Sequence, residues 1–94
     1  MITRLVKLTL QPSRKEDFTN LFRDMQGSIK SFPGCSGVEL FRDLKQTDIV
    51  FTYSTWDSVE ALEAYRRSDL FRNTWEKAKA FFSKPAEAWS LVEN

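Results

Sequence analysis

The first ten residues, MITRLVKLTL, alternate. Arg4, Val6, Leu8 and Leu10 fall on one side of an extended chain, and Thr3, Leu5, Lys7 and Thr9 on the other, which predicts a strand. Pro12 and Ser13 stop it, and Ser13 with Glu16 has the spacing of a capping box that opens a helix. Phe18, Leu21, Phe22, Met25 and Ile29 follow at helical spacing, so one stripe of that helix is buried. FPGCSG, 32 to 37, closes it with turn chemistry. VELFR and IVFTYSTW are two further strands joined by the polar turn DLKQTD, and together they make a hairpin. Asp57 or Ser58 caps a second helix carrying Val59, Leu62 and Tyr65. Ser68 and Asp69 break it, and a fresh helical stripe runs through Phe71, Trp75, Ala78 and Phe82 until Pro85. AWSLV reads as a short last strand.

The order β-α-β-β-α-β predicts an α+β, ferredoxin-like fold, a four-stranded antiparallel sheet with helices on one face, in a single domain over 1–94. A sheet with one wet face should be polar on that face. Here the third strand puts Ile49, Phe51 and Tyr53 on one side and Val50, Thr52 and Trp56 on the other, and Leu5 and Phe41 add to the side the helices leave bare. At about 25 cal/mol per Å2, leaving several aromatic side chains in water forfeits several kcal/mol. The simplest cover is a second copy of the same sheet about a two-fold axis. The expectation is a homodimer through the open sheet face, in effect a dimeric α/β barrel.

Composition narrows the partners. With 14 basic and 13 acidic residues the net charge is +1, which gives no electrostatic footprint for nucleic acid or an anionic membrane. No run is long and apolar enough to span a bilayer, and the alternating, charged N-terminus does not read as a signal-peptide core, so the expected location is the cytoplasm. The single cysteine, Cys35, excludes an intrachain disulfide. Histidine is absent, which removes the commonest general base near neutral pH and the commonest transition-metal ligand. No carboxylates fall at ligand spacing, so no metal is expected.

FPGCSGVELFRD, TYSTWDSVEALEAY, SDLFRNTW and the terminal AWSLV, in that order and spacing, resemble the antibiotic biosynthesis monooxygenase family over nearly the whole chain. The resemblance implies a dimeric α+β barrel with a pocket in each subunit between sheet and helices. In oxygenase members of that family an electron-rich phenol or quinol is oxidised by O2 without metal or prosthetic group. The pocket binds the ring, helps remove a proton and stabilises the anion that passes an electron to oxygen. Trp56, Tyr65, Phe71 and Trp75 match positions that border such pockets, and Phe22 and Met25 of the first helix join them as candidate substrate-binding residues. Many members carry histidines in the second helical region, where this chain has Tyr65 and Leu70. The haem-degrading branch has a similar SDLF but an axial histidine where this chain has Trp75, and a first-strand asparagine where it has Val6, which argues against haem degradation.

Each candidate also has a plainer reading. Tyr65 shares a stripe with Val59 and Leu62, so it is either a pocket wall or a core tyrosine with a satisfied hydroxyl. An unperturbed phenol titrates near 10, which suits a hydrogen-bond donor better than a base. Phe71, Trp75 and Trp56 fit core packing as well as a ring platform. Arg66 and Arg67 follow Tyr65 as a solvated face, unless one turns inward to steady a phenolate. Arg67 is taken as that candidate, with Tyr65 as its catalytic partner. Arg4 and Arg42 suggest ion pairs across the dimer, and Glu39 a pair with Lys7 or else a base in a desolvated site. The leading expectation is a cofactor-independent monooxygenase acting on an aromatic or quinol-type small molecule. A non-catalytic binding or dimerisation module is one alternative, and an isomerase that needs a carboxylate base in the pocket is another.

Overall fold

The computed structural model describes residues 1–94. Four strands, β1 (Ile2–Thr9), β2 (Cys35–Arg42), β3 (Ile49–Trp56) and β4 (Glu87–Leu91), alternate with three helices, α1 (Lys15–Lys30), α2 (Val59–Arg66) and α3 (Asp69–Lys79). The sheet is antiparallel throughout, in the order β2-β3-β1-β4, and it is open: within one chain it does not close into a barrel. This is the ferredoxin-like α+β arrangement that the alternation predicts.

Register sorts the side chains into cross-strand rows, because directly opposed residues project from the same face. Val38, Ser54, Arg4 and Ser90 form one row beneath the helices, and Leu40, Thr52, Val6 and Ala88 the next. On the other face, Glu39, Tyr53, Leu5 and Trp89 lie side by side, followed by Phe41, Phe51, Lys7 and Glu87. Phe41 is 54% exposed, Leu91 45%, Trp89 42% and Tyr53 40%, so that face is apolar and uncovered. The Phe41 and Tyr53 rings meet edge to face at 6.2 Å across it.

Serine hydroxyls set the helix boundaries. Ser58 Oγ accepts from the Ala61 N–H at 3.1 Å and caps α2. Ser68 Oγ donates to the Tyr65 carbonyl at 2.6 Å and accepts from the Phe71 N–H at 3.1 Å, so one side chain ends α2 and starts α3. The Pro33–Gly34 turn feeds β2 under α2. Gly34 has φ +85°, and a Cβ there would collide with the Ala61 side chain, so only glycine fits both the backbone and the space. The Gly34 carbonyl accepts from the Asp57 N–H at 2.8 Å and ties this turn to the end of β3.

Several local expectations are revised. The Ser13–Glu16 capping box does not form. Pro12 instead begins a short 3-10 turn over Pro12–Arg14, and α1 starts behind Arg14, whose side chain pairs with Asp17 at 2.8 Å. Phe82 is not on α3, which ends at Lys79. The chain reverses, the Gln11 amide donates to the Ala80 and Phe82 carbonyls, and Phe82 forms an isolated bridge with Leu10. Lys7 pairs with Glu87 at 3.6 Å rather than with Glu39, because Glu39 stands in the neighbouring row, opposite Tyr53. Arg4 lies on the helix-covered face, where it donates to Ser90 Oγ at 2.8 Å, and so does not face a partner's sheet.

Two apolar clusters hold the layers together. The larger joins Leu8, Leu10, Phe18, Phe22, Ile29, Val38, Val50 and Ala78, and the smaller Ile2, Trp56 and Leu62. Tyr65 packs against both. No helix is long and apolar enough to cross a membrane.

Candidate functional site

Between sheet and helices lies a cavity of about 390 Å3. Its floor comes from the two helix-side rows, chiefly Arg4, Val6, Thr52, Ser54 and Ala88. Small side chains at Ser54, Thr52 and Ala88 leave room where Leu, Ile or Phe would meet the helices. Above it, α1 contributes Phe22 and Met25, α2 contributes Tyr65 and Arg66, and α3 contributes Phe71, Thr74 and Trp75. The walls are mostly apolar, and the polar side chains among them are Arg4, Thr52, Ser54, Tyr65, Arg66 and Thr74.

The aromatic residues around the helix break form a continuous series. Trp56 stacks on Tyr65 at 4.8 Å, and Tyr65 meets Phe71 edge-on at 5.3 Å. Phe71 stacks on Trp75 at 5.8 Å, and Trp75 meets Phe82 at 5.5 Å. Such contacts fix ring orientation beyond simple burial. The Ser68 break produces this geometry, since it lets α2 and α3 change direction while Tyr65 and Phe71 stay in contact.

Tyr65 lines the cavity with a half-buried side chain, and its hydroxyl takes part in no hydrogen bond within the protein. Burial, with a smaller contribution from Cys35, pushes the phenol up to about 12, so it is a donor at any physiological pH. Ser54 offers a second donor: its Oγ accepts from Trp56 Nε1 at 3.0 Å, which leaves the hydroxyl proton free. Arg4 is lowered from its usual value, first by desolvation and then by repulsion from Arg66, with Glu63 acting in the opposite sense. Burial raises the Cys35 thiol, which donates to the Gly37 carbonyl and is no thiolate nucleophile.

Of the residues singled out from the sequence, Tyr65, Phe71, Trp75, Phe22 and Met25 line the cavity together. Trp56 does not. It is fully buried in the smaller cluster and reaches the cavity only through Tyr65 and Ser54. Arg67 does not either, because as the residue capping the end of α2 it is exposed, and helical spacing turns Arg66 toward the cavity instead. Arg4, Ser54 and Thr52 escaped sequence reasoning. The signal for Arg4 was its place in the apolar set of an alternating strand.

Over 68 residues the chain is 32% identical to a Natronomonas pharaonis protein named as a candidate heme-binding protein, a match that covers 72% of this chain. The chain spans 11% of that relative's length. The cavity does not fit a haem of the usual ligation. It has no imidazole or thiolate, its only phenol holds its proton to about pH 12, and Met25 alone would supply a neutral sulfur. Among solved structures, a conserved protein from Methanosarcina mazei Go1 superposes with a TM-score of 0.92 at 20% identity, covering 100% of this chain and 94% of that one. A structure described as an antibiotic biosynthesis monooxygenase gives 0.91 at 16% identity, covering 100% and 99%. Both share this fold. The model of the antibiotic biosynthesis monooxygenase family matches residues 1–77, and the chain belongs to that family.

Proposed function

We propose that this chain is a monooxygenase of the antibiotic biosynthesis type that works without metal or prosthetic group. Its substrate is an aromatic or quinol-type small molecule held in the cavity between helices and sheet. The observation that carries this reading is the largely apolar cavity with Tyr65 in its wall, a phenol that has no hydrogen-bond partner within the protein. Phe71, Trp75, Phe22 and Met25 pack the ring, and Tyr65 and Ser54 donate to its oxygen. The two nearby guanidiniums, Arg66 and Arg4, make the cavity favourable to an anionic guest. Arg66, rather than the Arg67 that the sequence suggested, is the arginine of α2 that lines it. The electron-rich ring supplies the electrons: one atom of O2 enters a ring carbon and the other leaves as water.

No carboxylate lines the cavity, so an isomerase of the same fold would lack its base. The absence of both histidine and carboxylate supports a second reading, a module that binds such molecules without transforming them. Oxygen consumption on a panel of hydroquinones and anthrones separates the two. Wild type should consume O2 with at least one of them, and Tyr65→Phe should lower kcat by about 10- to 100-fold. No uptake with any substrate leaves the binding module.

The assembly belongs to the same proposal. Two copies meet through the bare sheet face and bury Phe41, Tyr53 and Trp89, making a barrel of two open sheets.

A further inference from the structure

The cavity has two unlike ends. Toward Phe18, Leu8 and Ala78 it is apolar, whereas Arg4 and Arg66 stand together near its opening, Arg66 exposed and Arg4 half-buried. Each guanidinium is already positioned: Arg4 by Ser90 Oγ at 2.8 Å, Arg66 by the Glu63 carboxylate at 3.3 Å. Arg66 thus has an ion-pair partner and Arg4 has none, which leaves about one positive charge unbalanced at the opening. No aspartate or glutamate lines the cavity to balance it. Two cations facing one another at the edge of an apolar hollow repel, and a bound anion relieves that repulsion.

Resting on the reading of this cavity as the binding site, we propose that its guest is an amphipathic acid. The aromatic body lies among the apolar walls, and a carboxylate sits between the Arg4 and Arg66 guanidiniums. A monoanion matches the single unbalanced charge, whereas a phosphate dianion would remain half compensated. Planar guanidinium forks held by Ser90 and Glu63 suit the planar carboxylate. The acid then acts as an anchor that orients the ring, with Tyr65 and Ser54 beside it.

Calorimetric titration of the full chain with naphthalene-2-carboxylate, naphthalene-2-carboxamide and 2-naphthyl phosphate tests the assignment. Wild type should bind the carboxylate about tenfold more tightly than the amide, and no less tightly than the phosphate. Arg4→Gln and Arg66→Gln should each remove most of that preference and leave amide affinity within about twofold, with Arg4→Lys restoring part of it. Equal binding of carboxylate and amide by wild type overturns the anchor while the cavity remains a binding site. A preference that survives both glutamine variants also overturns it, as does tighter binding of the phosphate. If none of the three probes binds, the anchor and the cavity reading fall together. The wild-type comparison stands even where a variant does not fold.

Discussion

The two faces of one sheet are both apolar, but in different shapes. Under the helices, Ser54, Thr52 and Ala88 are small, and the space they leave is enclosed and concave. On the far side, Phe41, Tyr53, Leu5 and Trp89 are large and stand on a broad, uncovered surface. An enclosed hollow of about 390 Å3 suits a molecule of a few rings, whereas a flat aromatic surface suits another surface. Alternation along β1 alone separates the two faces, with Val6 on the side of the cavity and Leu5 on the uncovered side. Side-chain size, more than hydrophobicity, tells the faces apart.

That division lets the faces be disabled separately. The largest effect belongs to the bare side. Phe41→Asp places a charge in the proposed contact twice per pair, and association should weaken by about 100- to 1000-fold in sedimentation velocity, with ligand affinity nearly unchanged. A wild-type chain that stays monomeric at tens of micromolar would contradict the contact.

The next effect tests whether Tyr65 is as desolvated as its surroundings imply. Its folded pKa of about 12 lies above the value near 10 expected when unfolded. The folded state therefore keeps the proton longer, and the associated stability is complete below pH 10 and lost as pH rises toward 12. Urea unfolding at pH 9 and 11.5 should reveal about 2 kcal/mol more alkaline loss in wild type than in Tyr65→Phe. Other groups cancel in that difference. Equal losses would mean that the hydroxyl is already well solvated.

The smallest effect on stability should come from filling the hollow. Val6→Phe adds a ring where space exists, so unfolding free energy should change by less than about 1 kcal/mol while naphthyl probes lose affinity. Loss of the dimer in this variant would show that the two faces are coupled after all.

Much of this was legible in the chain. Periodicity located β1, β3 and the helices, because alternation in β1 and β3 and the stripe of α1 are direct consequences of burial on one side. Boundaries were harder. Ser13 looked like a cap, yet Pro12 drew it into a 3-10 turn, and Phe82 continued a helical period past the true end of α3 at Lys79. At the site, the aromatic positions could be read from helical spacing, which brought Tyr65, Phe71 and Trp75 to one wall. The polar ones could not. Whether Arg66 or Arg67 faces inward depends on a rotation of one residue about α2, which the Ser58 and Ser68 hydroxyls fix. The part played by Ser54 depends on a hydrogen bond from a tryptophan two residues away, to which periodicity is blind.

One detail bears on how many copies can gather. The strand order makes β2 a margin of the sheet, and the Gln26 side chain of α1 donates to the Val38 carbonyl on that strand at 2.8 Å. A newcomer trying to extend the ribbon sideways would first have to evict this amide from its rung. Lateral growth into fibres is thereby discouraged, and stacking broadside, which exhausts itself after a single partner, is the course left open.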